Sequence, residues 1–104
     1  ACLMVSRAAY DQVGGLDESF TISLNDVDFC LKLREAGYLN IFTPFAELYH
    51  YESKTRGMEE GEKLCRYERE CAHFREKWKA QLDAGDPYYN PNFSLDYSDF
   101  TLRF

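Results

Sequence analysis

Two carboxylates one residue apart, Asp26 and Asp28, stand in the stretch SLNDVDFCLKLREAGY, residues 23–38, at the head of an apolar pattern. Acids so placed can share a proton, act singly as a base, or cap a helix. A helix turns about 100° per residue, so two acids at this spacing point roughly 200° apart. Asp26 and Asp28 therefore cannot flank one substrate atom, and a catalytic dyad is excluded. Asn25 and Asp28, three apart, have the spacing of a capping pair. Asn25 is expected to accept from the Asp28 amide while the Asp28 carboxylate reaches back to the exposed amides. Asp26 keeps two readings. As the first helical residue it gains a few tenths to about 1 kcal/mol from the helix dipole. Alternatively it projects into a cleft and, held ionised by the helix terminus, takes a proton from a substrate hydroxyl.

The elements that must position these acids follow from local signals. ACLMV reads as a buried strand beginning at the first residue, which raises the expectation of a part of something longer. Ser6 is a good N-cap for a short helix over about 7–13, ended by Gly14 and Gly15. ESFTIS reads as loop or a short extended stretch. A helix over about 25–36 follows, with Val27, Cys30, Leu31 and Leu33 at helical spacing and Gly37 as its stop. YLNIF and AELYHY alternate as two short strands around Thr43-Pro44, and SKTRG, residues 53–57, reads as a loop. From about 58 to 82 the pattern is one long helix: Leu64, Tyr67, Cys71, Phe74 and Trp78 fall on one stripe. Gly85 and Asp86-Pro87 stop it, and an aromatic tail punctuated by Pro and Asn follows, expected to drape over a surface. Short strands with helices make the expected class α/β, in the sense of an α+β fragment.

Composition bounds the partners. The chain has 104 residues, enough for one domain with a modest core. Its net charge of -6 argues against a phosphate backbone, because nucleic-acid binders concentrate Lys and Arg. Its longest apolar runs fall far short of the ~20 residues that cross a bilayer, so no transmembrane segment is expected. No signal peptide is visible either. Four cysteines form no CxxC and do not stand at zinc-finger spacing from the two histidines. They read as reduced, small apolar residues in a cytoplasmic protein.

The order of the pieces resembles a known family. ACLMVSRAAYDQVGGLDESF, then LNDVDFCLKLREAGY, then YHYESKTRG closely resemble the second half of bacterial family 2 glycosyltransferases of the GT-A fold, over residues 1–57. DPYYNPNFSLD is similar to the tail of the rhamnosyltransferase-like members. The resemblance implies an acceptor-side part of a catalytic domain at 1–57, with a C-terminal helix and tail at 58–104. It implies inverting transfer of a sugar from a nucleotide-sugar donor to a glycan acceptor hydroxyl, in cell-surface polysaccharide synthesis. Asp26 falls on the general base, and Asn25 stands where the family has an acid beside it. His50 matches a ligand to a divalent metal, Mn or Mg, the other reading being an imidazole on the strand face of Ala46 and Leu48. Arg56 matches a basic loop position facing the diphosphate, or is an ordinary loop arginine. Gly14 and Gly15 match a turn that lets backbone approach the substrates, or are a helix C-cap.

The family's nucleotide-binding half, with its parallel strands and the metal-binding Asp-x-Asp it carries, is not found in these residues. The fragment alone is therefore expected to be inactive, and the whole enzyme to work in the cytoplasm or at the inner face of the membrane. A reading of another class is a non-catalytic interaction module, in which the 58–82 helix pairs with a second chain and the fragment self-associates. Tyr, Cys and Trp are poor seam residues for such pairing.

Overall fold

The computed structural model describes residues 2–51 and 61–104. They form four helices: α1 (Arg7–Gln12), α2 (Asn25–Glu35), α3 (Glu62–Lys77) and α4 (Lys79–Ala84). Two compact units result, Ala1–Phe74 and Arg75–Phe104, and α3 crosses the boundary between them.

In the first unit, α1 starts where expected. The Ser6 hydroxyl accepts from the Ala9 amide at 3.2 Å. It ends one residue early, in a Schellman arrangement: the Gly15 amide donates to the Tyr10 carbonyl at 2.9 Å and the Gly14 amide to that of Asp11 at 3.2 Å. α2 closes in the same way, with Tyr38 donating to Leu33 at 3.0 Å and Gly37 to Arg34 at 3.1 Å. The two helices meet through Ala9, Phe29 and Leu33, with Val5, Tyr10 and Val13 packed around them. The Tyr10 and Phe29 rings lie 5.5 Å apart and tilted. Burying a side chain such as Phe29 is worth about 1.5–3 kcal/mol. The face of α2 that turns inward is therefore centred on Phe29 and Leu33; Val27, placed on the apolar stripe from sequence, is 45% exposed.

The expected strands are absent among the described residues. Residues 2–5, 38–42 and 46–51 are irregular, and a single bridge, Phe93 to Leu102, is the only β pairing among the described residues. A strand is held by a neighbour's carbonyls and amides, so an alternating pattern becomes one only where a partner strand stands beside it. Here Leu39, Ile41, Phe42, Phe45, Leu48 and Tyr49 all face solvent. Asn40 ties this segment back by donating to the Cys30 carbonyl at 2.9 Å, and the Tyr38 hydroxyl donates to Gln12. The architecture is thus helical over the described residues, and the α/β expectation is corrected to that extent.

The single long helix is also corrected. α3 and α4 are separated at Trp78, whose φ of -109° and ψ of 25° leave the helical region. Along the stripe, Leu64 and Tyr67 are exposed while Phe74 and Trp78 are buried. The start of the expected helix, at Met58, lies outside the described residues. In the second unit the tail folds on itself. Ser94 donates to the Thr101 carbonyl at 2.8 Å and Arg103 to that of Asn92 at 2.7 Å. Phe93 lies 6.1 Å from Tyr89 and 5.7 Å from Phe100, ring to ring. Asp86 and Asn90 accept from amides two residues on, at 2.8 and 2.9 Å, setting the turns.

Candidate active site at the start of α2

The approach to α2 is built residue by residue. Asp17 turns the chain by accepting from the Ser19 amide at 2.9 Å and its hydroxyl at 2.6 Å. Phe20 is buried, stacked on His73 at 4.9 Å and edge-on to Phe74 at 6.0 Å. Ser19 Oγ lies 3.1 Å from His73 Nε2. The next three residues converge on one side chain. Glu70 Oε1 accepts from the Thr21 amide at 2.6 Å, the Thr21 hydroxyl at 2.8 Å and the Ile22 amide at 3.3 Å. Its Oε2 accepts from the Ser23 amide at 3.1 Å. Burial pushes the Glu70 carboxyl up, but these bonds, led by the Thr21 hydroxyl, outweigh it and hold it below the usual carboxylate range.

Leu24 then takes the left-handed conformation, φ 65°, and its carbonyl accepts from the Asp28 amide at 2.8 Å. No side chain caps α2. The expected Asn25–Asp28 capping pair is therefore corrected: Asn25 is the first helical residue, half-buried, and Leu24 holds the cap position. Local bonds alone favour such a cap, whereas the turn before α2 is held by a residue on α3.

The two acids are separated as their spacing demands. Asp26 is exposed, its Oδ1 accepting from the Val27 amide at 2.9 Å. Asp28 is fully buried beside Phe29. Burial and the charge of Asp26 raise the Cys30 thiol above its ordinary value. The cysteines are free; Cys30 and Cys71 are half-buried, but Cys2 and Cys65 are exposed, against the expectation that all four pack as small apolar residues.

The other expected site residues lie elsewhere. Gly14 and Gly15 both have positive φ, 77° and 72°, and their C-cap reading is realised. Space is open around Gly14, whereas a Cβ on Gly15 would meet the Tyr10 hydroxyl at 2.7 Å and its ring at 2.8 Å. The Gly15 carbonyl accepts from Lys32 Nζ, which fastens the α1 turn to α2. His50 is exposed in the irregular segment after Pro44. Arg56 lies outside the described residues. No group of three His, Cys, Asp or Glu side chains suited to a metal occurs among the described residues, His50 included. A surface groove lined by Arg75, Glu76, Lys79, Leu82 and Asp83 contains none of the expected residues. No described helix is long and apolar enough to cross a membrane.

Glu70 and His73 were missed from sequence. The signal was present for Glu70: it stands three after Tyr67 and four before Phe74, an acid set within the apolar stripe.

Comparison with known proteins gives these residues a setting. The chain is 50% identical over 104 residues to "Uncharacterized protein y4gI" of Sinorhizobium fredii, covering 98% of this chain and 11% of that protein. It is 40% identical over 57 residues to N-acetylglucosaminyl-diphospho-decaprenol L-rhamnosyltransferase of Mycobacterium tuberculosis, covering 55% of this chain and 19% of the enzyme. Over 106 residues it is 33% identical to O-antigen biosynthesis protein RfbC of Myxococcus xanthus, covering 99% of this chain and 8% of that protein. The chain thus spans less than a fifth of the length of each of these relatives. It is related to part of proteins named for rhamnose transfer and O-antigen synthesis, and over that part it is glycosyltransferase-like. No protein-family model and no solved structure matches it.

Proposed function

We propose that this chain is the acceptor-side part of an inverting family 2 glycosyltransferase of the GT-A fold, with Asp26 as general base. Residues 1–57 belong to the catalytic domain in this reading, and 58–104 supply its C-terminal helix and tail. The observation that carries it is the division of labour on α2: Asp28 is buried, while Asp26 stands exposed on the first turn. An exposed carboxylate there has no packing role and is free to meet a hydroxyl. The acceptor oxygen attacks the anomeric carbon, its proton passes to Asp26, and the bond from that carbon to the diphosphate oxygen breaks on the opposite face. The relatives' names, for rhamnose transfer and O-antigen biosynthesis, support a sugar-polymer setting; in this reading the donor is a nucleotide-sugar and the acceptor a glycan hydroxyl. Asn25 and the Gly14–Gly15 turn are the acceptor-side contacts in this reading, and Arg56 faces the diphosphate. The enzyme then works in the cytoplasm, at the inner face of the membrane where a lipid-linked acceptor is presented.

The described residues do not by themselves make a metal site. His50 is proposed as a single imidazole ligand to a divalent ion, Mn or Mg, whose role when bound is to neutralise the leaving diphosphate.

Kinetics on the longer transferase test the proposal. Asp26→Asn is expected to lower kcat by roughly 10²–10⁴ with donor KM little changed. His50→Ala is expected to raise the metal requirement, with partial rescue by excess Mn²⁺. Near-normal turnover by Asp26→Asn sends the base elsewhere, and a metal-insensitive His50→Ala removes His50 as a ligand. The isolated 104 residues are expected to transfer no sugar and to bind a nucleoside diphosphate with a Kd above about 1 mM, weaker than about -4 kcal/mol.

The interaction-module reading has one observation behind it, the exposure of Leu64 and Tyr67 on α3. Against it, Phe74 on the same stripe is covered by Phe20, and the helix breaks at Trp78. Light scattering over a concentration series, with Leu64→Ser and Tyr67→Ser, separates them: dimers lost in these variants support the module.

A further inference from the structure

The clamp on residues 21–23 has no part in the chemistry just described, yet it holds the three residues that lead into α2. A buried carboxylate receiving three consecutive amides and a hydroxyl is a costly group to place, and it persists only where all its bonds are made. Downstream of it, Leu24 adopts a left-handed conformation that bulky residues avoid. The first turn of α2 has no side-chain cap of its own. Its starting point is therefore set from outside, by whatever holds the loop before it. That holder is Glu70, braced by the stacking of His73 on Phe20 and the edge contact of Phe74.

We infer that Glu70 is a positioning residue for the proposed transfer: by clamping the amides of 21–23 it sets the first turn of α2 and hence the place of Asp26. The inference rests on the reading of Asp26 as base. A carboxylate that must meet an acceptor oxygen within hydrogen-bond reach tolerates little displacement, and a misplacement of about 1 Å can cost about 10²-fold in rate. Glu70 touches no substrate in this account; it acts through Asp26. Glutamine is the informative replacement. Its carbonyl oxygen can still accept from Thr21, but its NH₂ group would meet the Ser23 amide donor to donor, so one side of the clamp opens.

The test is a double-mutant cycle in the transferase that contains this chain, comparing wild type, Glu70→Gln, Asp26→Asn and the double variant. Glu70→Gln is expected to lower kcat about tenfold to a hundredfold with donor KM unchanged. In the Asp26→Asn background the same substitution is expected to cost nothing further, because a residue acting through the base has nothing left to position. A merely structural Glu70 would cost the same in both backgrounds, and that result overturns the inference. So does wild-type turnover by Glu70→Gln. If Asp26→Asn itself turns over normally, the base assignment has failed first, which the cycle shows separately. Should Glu70→Gln not fold, Thr21→Val removes only the hydroxyl bond; a smaller kcat loss that vanishes in Asp26→Asn supports the inference, and one that persists overturns it.

Discussion

Glu70 carries a negative charge into a place nearly without water, and it stays ionised because donors surround it. Its folded-state carboxyl lies below the unfolded value of about 4.3. Its contribution to stability is therefore complete above that value and is lost as pH falls through the lower folded one. Denaturant midpoints measured as pH is lowered should fall more steeply in this window for wild type than for Glu70→Gln. Asp99, also held down by its bonds from Thr101, titrates in the same direction in both proteins, so the difference isolates Glu70. The adjacent glycines offer a second comparison of single residues. Gly14→Ala meets only the left-handed backbone, at about 1–2 kcal/mol, since nothing lies near its missing side chain. Gly15→Ala adds contact with the Tyr10 hydroxyl at 2.7 Å and ring at 2.8 Å and should be the more destabilising of the two in chemical melts. Equal losses would mean that Tyr10 swings aside.

Helices α1 and α2 begin by different means, and substitution should show it. Ser6→Ala removes a hydroxyl that accepts from the Ala9 amide and should cost about 0.5–2 kcal/mol. Asn25→Ala removes no cap and should cost less; the reverse order in thermal melts would restore Asn25 as the cap. What could be read from sequence divides along the same line. The bounds of α1, the end of α2 and the glycine stops were legible because a Ser hydroxyl and a C-terminal Gly act on neighbours in the chain. The start of α2 was not, since Leu24 holds the cap position and the residues before it are bonded to Glu70 on α3. The strands were misread for a related reason: alternation in YLNIF and AELYHY reports a preference, but the bonds of a strand come from elsewhere. At the candidate site, the separation of Asp26 from Asp28 was legible from helix geometry alone. That Asp28 is buried and Glu70 holds the loop was hidden, as both depend on which faces meet.

Taken over its described length, the molecule keeps its apolar residues in two very different conditions. Phe20, Phe29, Leu33 and Phe74 are buried, whereas Phe42 and Phe45 are 88% and 93% exposed. An exposed run of this kind contributes nothing to folding stability but attracts other apolar surfaces. Phe42→Ser and Phe45→Ser should change the unfolding free energy by less than about 0.5 kcal/mol while raising the concentration at which the chain stays monodisperse in light scattering. A large loss of stability would show that residues 38–51 pack in solution. Burial of Trp78, by contrast, predicts a blue-shifted indole emission that moves red on unfolding, and Trp78 is the only tryptophan that could report it.

The clamp joins residues 47 to 49 positions apart. A contact that distant closes slowly, because the intervening chain must surrender its freedom first. Synthesis runs from the N-terminus, so Asp26 leaves the ribosome while Glu70 has yet to be translated. The helix that bears Asp26 can coil early, yet its first turn reaches its final seat only after α3 arrives. The proposed base is thus made well before the residue that seats it.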